Sequence, residues 1–455
     1  MEPVYHNVIF LVVLLVVASS AADLFNPRWK LRLRQPRRIK EALREARNTG
    51  METWEWFSEH EIRDVRSRGM VGLAIGLILL FCLQHSVGFV EAPINSSTSG
   101  DAELADRIRP DLESIVRRNA IIGMTVVVVA DGKESIIGLG RRDLHTAEPP
   151  DRKTLYEIGS ISKTFTGILL AHEIRNGRVN LDDAVNDHLP DGVSLPDTTD
   201  APVLLRHLTT HRSGLPRKVE GMGGLFGTIF GRDTMSDVTA EQFWGAVGTV
   251  RLRSVPGEGV HYSNLGAALL GNLLARQQKD SFADMFGEII GGPLEMSDTV
   301  IQPNHDQLSR WAQGYRSIIK AGPLTLALEA DNTMVPDVLA GMGGFFSTGQ
   351  GMLNYLKANL GLMKSPVYES MRLSHQKLEA WRGDFSLAMN WLHRDFEGHT
   401  FIWHNGRMSG HRCFIGFNES QPVAVAILSN SQVNMDWYGA HLLDLLSDSP
   451  AEASD

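Results

Sequence analysis

Residues 105–447 carry strand-like runs at both ends and helical patterns between them, which leaves few folds open. Near the start, Met124–Ala130 (MTVVVVA) and Glu134–Leu139 flank Asp131-Gly132, a pair suited to a tight hairpin because both positions tolerate positive φ. Near the end, Thr400–Trp403, Arg412–Phe417 and Pro422–Leu428 are apolar and β-prone, and a helical pattern follows over Met435–Leu446. A second helical pattern covers Ala102–Asn119. The middle, about 150–395, reads as helical segments broken by Gly and Pro; one runs from Ser160 to Arg175 and ends at Asn176-Gly177, a normal C-terminal cap. The expected class is α+β: an antiparallel sheet built from both chain ends and flanked by helices, plus a mainly helical subdomain. Within the middle, Val219–Val238 holds five glycines, two methionines and two phenylalanines and reads as a loop lining a hydrophobic cleft.

The first hundred residues have a different character. Val8–Ala22 is a short apolar run, and Met70–Val90 is an apolar run of 21 residues without formal charge. At 1.5 Å per residue the second run reaches about 31 Å, the thickness of a hydrocarbon core. The first run lacks the basic residues that precede a cleavable signal, and it is followed by Arg28, Lys30, Arg32, Arg34, Arg37, Arg38, Lys40, Arg44 and Arg47. Basic flanks stay on the cytoplasmic side. The expected organisation is a first transmembrane segment (1–22), a basic cytoplasmic loop (23–69), a second transmembrane segment (70–90), a polar linker (91–104), a folded domain (105–447) outside the cytoplasm, and a short tail (448–455). Membrane lipid is thus an expected partner, through two transmembrane helices.

Composition excludes several classes. The chain is 43% hydrophobic and 21% charged, which is globular and not disordered or fibrous. Its formal charge is −9, and the residues after the first hundred alone carry −11, so nucleic acid is not an expected partner. Two cysteines, Cys82 and Cys413, allow neither a disulfide framework nor a Cys₄ metal site. His207 and His211 stand four apart, as helical metal ligands would, but no metal role is expected of them.

The chemistry centres on Tyr156–Gly167 (YEIGSISKTFTG). Ser160 and Lys163 lie three apart at the start of a helix, so their side chains share a face. A serine hydroxyl becomes a nucleophile when a base takes its proton, and a lysine serves once burial or neighbours lower its pKa. About one hundred residues later comes PGEGVHYSNLG, with Tyr262 and Asn264, and later still WHNGRMSG, with His404, Asn405 and Gly406.

These three motifs, in this order, resemble the serine β-lactamase and penicillin-binding superfamily, and the Tyr-x-Asn element points to its class C branch. Framing segments agree: Leu181-Asp182-Asp183, Leu205–Pro216 (LRHLTTHRSGLP) and Gly343–Thr348 (GGFFST). The resemblance implies that Ser160 forms an acyl-enzyme, that Lys163 helps take its proton, and that Tyr262 shuttles protons. It implies that Asn264 holds Lys163 and meets the substrate amide, and that His404, Asn405 and Gly406 form the substrate-binding strand. The oxyanion hole would be the backbone N–H groups of Ser160 and Arg407. No metal or organic cofactor is implied. The substrate would be a small molecule or peptide: a D-amino-acid peptide, an ester or a β-lactam. A membrane sensor acylated without turnover is the rival reading. One departure stands out, because His404 occupies the position of a lysine whose permanent charge meets the carboxylate of a β-lactam, and a histidine is mostly neutral at pH 7. Arg407 is a candidate replacement for that charge, its direction being left open by the sequence.

Overall fold

The computed structural model describes residues 88–89, 94–119, 121–196, 201–217, 236–321, 324–332, 334–396 and 398–448. The expected transmembrane segments and the loop between them lie outside the described residues, apart from Gly88–Phe89, a two-residue strand. Among the described residues no helix is long and apolar enough to cross a membrane. Most of the expected loop Val219–Val238 is likewise outside them. The chain divides into two units, 1–89 with 325–328 and 90–324 with 329–455; the site below belongs to the second.

That unit is built on an antiparallel sheet of nine strands. The chain enters through β1 (Ser96–Gly100), helix α1 (Ala102–Asn119), β2 (Gly123–Ala130) and β3 (Lys133–Gly140). It then makes β4 (Leu155–Glu157), α2 (Ser162–Arg175), α3 (Asn264–Gln278), β5 (Phe346–Thr348) and α4 (Gly349–Asn359). It closes through β6 (Glu379–Ala380), β7 (Phe385–Leu387), β8 (Leu392–Phe396), β9 (His399–Arg407), β10 (Arg412–Asn418), β11 (Val423–Ser429) and α5 (Asp436–Ser447). The strand order is β1-β3-β2-β11-β10-β9-β8-β7-β6, so the two chain ends meet where β2 pairs with β11.

The hairpin β2–β3 forms because Asp131 and Gly132 both take positive φ, 54° and 71°, the turn whose twist matches its strands. Every residue of β2 is buried, since both faces of the sheet are covered. Val126 and Val128 face α1 and α5, while Val127 and Val129 face the α2–α4 side. Helix α1 presents Leu104, Ile108, Leu112 and Ile115 at helical spacing to the first of these cores. Burying each such side chain stabilises by roughly 1.5–3 kcal/mol.

Two expectations need correction. Residues 91–104 are not all linker: Ser96–Gly100 pairs with Ser135–Leu139 as the sheet edge, and α1 begins at Ala102. This strand (SSTSG) has no apolar run, because an edge strand held by backbone hydrogen bonds needs none. The middle of the chain also contains strands. Besides β5 to β8, Gly314–Ala321 and Leu324–Ala330 are extended. Several of these are two or three residues long, too short to show a period.

Candidate active site

Ser160 lies in a single 3₁₀ turn, Gly159–Ile161, between β4 and α2. Strand β4 is fixed by pairing with β5, Tyr156 opposite Ser347. Helix α2 runs to Arg175 and is closed by Gly177 at φ 68°, with Gly177 N–H donating to Ile174 and Arg178 N–H to Glu173. The turn itself is shaped by close backbone contact. Gly159 has φ 54°, and a Cβ there would come within 2.7 Å of the Arg407 nitrogen. A Cβ on Gly406 would meet the Ile158 carbonyl oxygen at 1.9 Å. The end of β9 therefore runs directly along the turn that carries Ser160, which only glycines permit, and it brings the Arg407 backbone beside it.

Lys163, one helical turn on, is fully buried. Its Nζ donates to Ser160 Oγ at 3.0 Å and to the Met342 carbonyl oxygen. Burial holds this amine below its ordinary pKa; the Tyr262 phenol opposes the shift and the Arg217 guanidinium adds to it. Tyr262 OH donates to Ser160 Oγ at 2.8 Å. The Tyr262 ring has Lys163 Nζ 5.0 Å from its centre and Arg217 Cζ 5.1 Å from it. The His211 ring lies 4.4 Å away, centre to centre. His211 is buried and held well below its usual pKa by burial first, then by Lys163, His404 and Arg217. His404 is buried too, with Nδ1 2.7 Å from the Asn405 carbonyl oxygen, and burial with the Lys163 charge lowers its pKa to about 4. It is therefore uncharged at neutral pH.

Ser160 Oγ thus has an amine and a phenol within proton-transfer distance, at the opening of a helix, with a second backbone strand alongside. Such an arrangement can accept the hydroxyl proton and stabilise an oxyanion. Ser160, Lys163, Tyr262, His404, Gly406 and the Arg407 backbone are brought together.

Two expected residues behave differently. Asn405 alternates to the opposite face of β9, where its Nδ2 donates to Asp436 Oδ2 of α5 at 2.8 Å, so it does not line the site. Asn264 begins α3 but does not hold Lys163. Its Oδ1 is buried without a hydrogen-bond partner among the described residues, and the Met342 carbonyl takes its place beside the amine. Sequence reasoning missed the Met342 carbonyl, the packing role of His211, and Arg217. The last stands directly after the framing segment Leu205–Pro216, and that adjacency is the one signal the sequence offers for it.

The beta-lactamase family profile matches residues 104–447. Among curated relatives, the D-alanyl-D-alanine-carboxypeptidase/endopeptidase AmpH of Escherichia coli (strain K12) is 29% identical over 238 residues, 52% of this chain and 57% of AmpH. A beta-lactamase of Yersinia enterocolitica is 26% identical over 265 residues, 57% of this chain and 60% of that enzyme. The chain thus spans less than two thirds of the length of either relative. Among solved structures, a class C beta-lactamase aligns with a TM-score of 0.66 at 20% identity, covering 77% of this chain and 97% of that one. A beta-lactamase/D-alanine carboxypeptidase from Yersinia pestis, complexed with citrate, gives 0.64 at 21%, covering 76% and 100%. These two show the fold. With the profile spanning most of its length and the Ser-Lys-Tyr cluster at its centre, this chain belongs to the beta-lactamase family.

Proposed function

We propose that this protein is a membrane-anchored serine hydrolase acting through a Ser160 acyl-enzyme. The observation that carries this reading is the convergence of Lys163 Nζ and Tyr262 OH on Ser160 Oγ, at 3.0 and 2.8 Å. As Ser160 attacks the acyl carbon, its hydroxyl proton passes to the Lys163–Tyr262 pair, burial having lowered the pKa of the Lys163 amine. The oxyanion is met by the N–H groups of Ser160 and Arg407, and Tyr262 returns a proton to the leaving group. Water then releases the acyl group by the reverse traffic. Asn264 is left with an acceptor oxygen for a substrate N–H, which suits an amide. The favoured substrates are D-amino-acid peptides, then esters, then β-lactams; AmpH supports the first and the uncharged His404 weakens the last. The two apolar runs 1–22 and 70–90 support anchoring, with residues 105–447 outside the cytoplasm. A reporter active only outside, fused after Asp101, is expected to be active, and silence there would invert the topology.

The test of the chemistry uses the full chain in detergent with p-nitrophenyl acetate, beside Ser160→Ala. A burst and steady release, both lost in the variant, are expected. Equal release by the two proteins would end the reading. A single stoichiometric burst would instead identify a sensor that is acylated without turnover.

A further inference from the structure

We infer that Arg217 is the cation that receives a carboxylate carried by the substrate, so that this site selects anionic acyl compounds. The inference rests on the hydrolase reading above and assigns the charge that His404 does not supply.

Three observations lead to Arg217. First, its guanidinium lies over the Tyr262 ring, Cζ 5.1 Å from the centre, and the hydroxyl of that same ring is bonded to Ser160 Oγ. The cation is one phenol away from the reacting serine. Second, its backbone is strapped in place. The Arg217 carbonyl oxygen accepts the Asn264 N–H at 3.1 Å, and the preceding Pro216 carbonyl oxygen accepts Ser263 Oγ–H at 2.8 Å. Arg217 is therefore held to the residues immediately following Tyr262. Third, it is exposed, and among the described residues its guanidinium packs on the Tyr262 ring and pairs with no carboxylate. A guanidinium held beside a nucleophile and facing solvent suits a carboxylate, which it can meet with two parallel N–H bonds.

The other cations near the site do not serve. Lys163 is buried and engaged with Ser160 and Met342. The Arg407 side chain follows Asn405 onto the α5 face of β9, two residues along the strand, and its charge acts there on Arg412. His211 and His404 are held uncharged. Because the histidines around Ser160 stay neutral, an incoming carboxylate meets one strong localised charge.

The full chain in detergent is assayed with a matched pair, mono-4-nitrophenyl adipate and its methyl ester, which differ only by the free carboxylate. Wild type, Arg217→Gln, Arg217→Lys and Ser160→Ala are compared. The ratio of kcat/KM for the acid to that for the methyl ester is expected to fall at least about tenfold in Arg217→Gln, mainly through KM, and to be partly restored in Arg217→Lys. Raising ionic strength from about 0.02 to 0.5 M is expected to lower the wild-type ratio and leave that of Arg217→Gln flat. An unchanged ratio in Arg217→Gln, or an equal loss on both esters, overturns the inference. Hydrolysis by Ser160→Ala at the wild-type rate overturns the hydrolase reading instead, and a wild type silent to both esters counts against both.

Discussion

At the scale of single residues, the site gains reactivity from groups that are costly to bury. Lys163 is wholly enclosed, and its amine is offset by one carbonyl, one hydroxyl and one phenol rather than by a carboxylate. Such a group serves chemistry more than stability. Lys163→Met is thus expected to lower turnover by at least about 10² while leaving the melting temperature equal or higher. Thermal unfolding and p-nitrophenyl acetate kinetics on the same preparation check both halves, and near-normal turnover would sink the Ser–Lys assignment. Tyr262→Phe keeps the ring between Lys163, Arg217 and His211 but removes the 2.8 Å hydrogen bond to Ser160 Oγ. A loss in kcat of about 10² with little change in stability is expected, and stopped-flow acylation would show it in the burst phase.

At the scale of elements, the site is an apposition of β9 against the turn before α2, and the glycines there set its spacing. Gly159→Ala would place a methyl group within 2.7–2.9 Å of three backbone atoms of Arg407, at a φ of 54°. The strand would have to move, taking the Arg407 N–H away from the Ser160 N–H. At least about a tenfold loss in turnover is expected, with destabilisation on the order of 1–3 kcal/mol; wild-type acylation in this variant would rule the Arg407 amide out of the oxyanion hole. The elements themselves were legible in unequal measure. The runs at both ends were readable because β2, β10 and β11 are buried on both faces and therefore continuously apolar. Strands β6 and β7 were not, because two- or three-residue strands near a sheet edge are fixed by partners rather than by composition. The motif residues Ser160, Lys163 and Tyr262 were readable from local spacing. The Met342 carbonyl bond of Lys163 was not, since it joins positions 179 residues apart and uses no side chain of Met342. The direction of Asn405 was recoverable in principle, because alternation along β9 puts it opposite His404 and Gly406.

At the scale of the whole molecule, His211, His375, His393 and His404 are four of the five histidines buried among the described residues. Burial lowers each below its ordinary pKa, His393 and His404 to about 4 and His211 well below 6.5. In the unfolded chain they titrate near 6.5. Between about pH 4 and 6.5 the unfolded chain therefore holds protons that the folded chain does not, and stability must rise with pH across that window. Each such group contributes a slope of up to about 1.4 kcal/mol per pH unit, and above about pH 7 these histidines add none. Carboxylates held low by partners, such as Asp298 beside Arg310, lose their stabilising effect only as pH falls below their ordinary range, under about pH 4, and do not blur the signal. Asp436, raised by burial, acts in the opposite sense and is a single group. The urea midpoint is thus expected to fall steadily from pH 7 to pH 5. His404→Gln, which removes one of the four, is expected to flatten that fall. A midpoint that holds level between pH 7 and 5 would mean that the histidines take up protons in the folded state. His404 would then carry a charge beside Ser160, and the selection of anionic substrates would no longer rest on Arg217 alone.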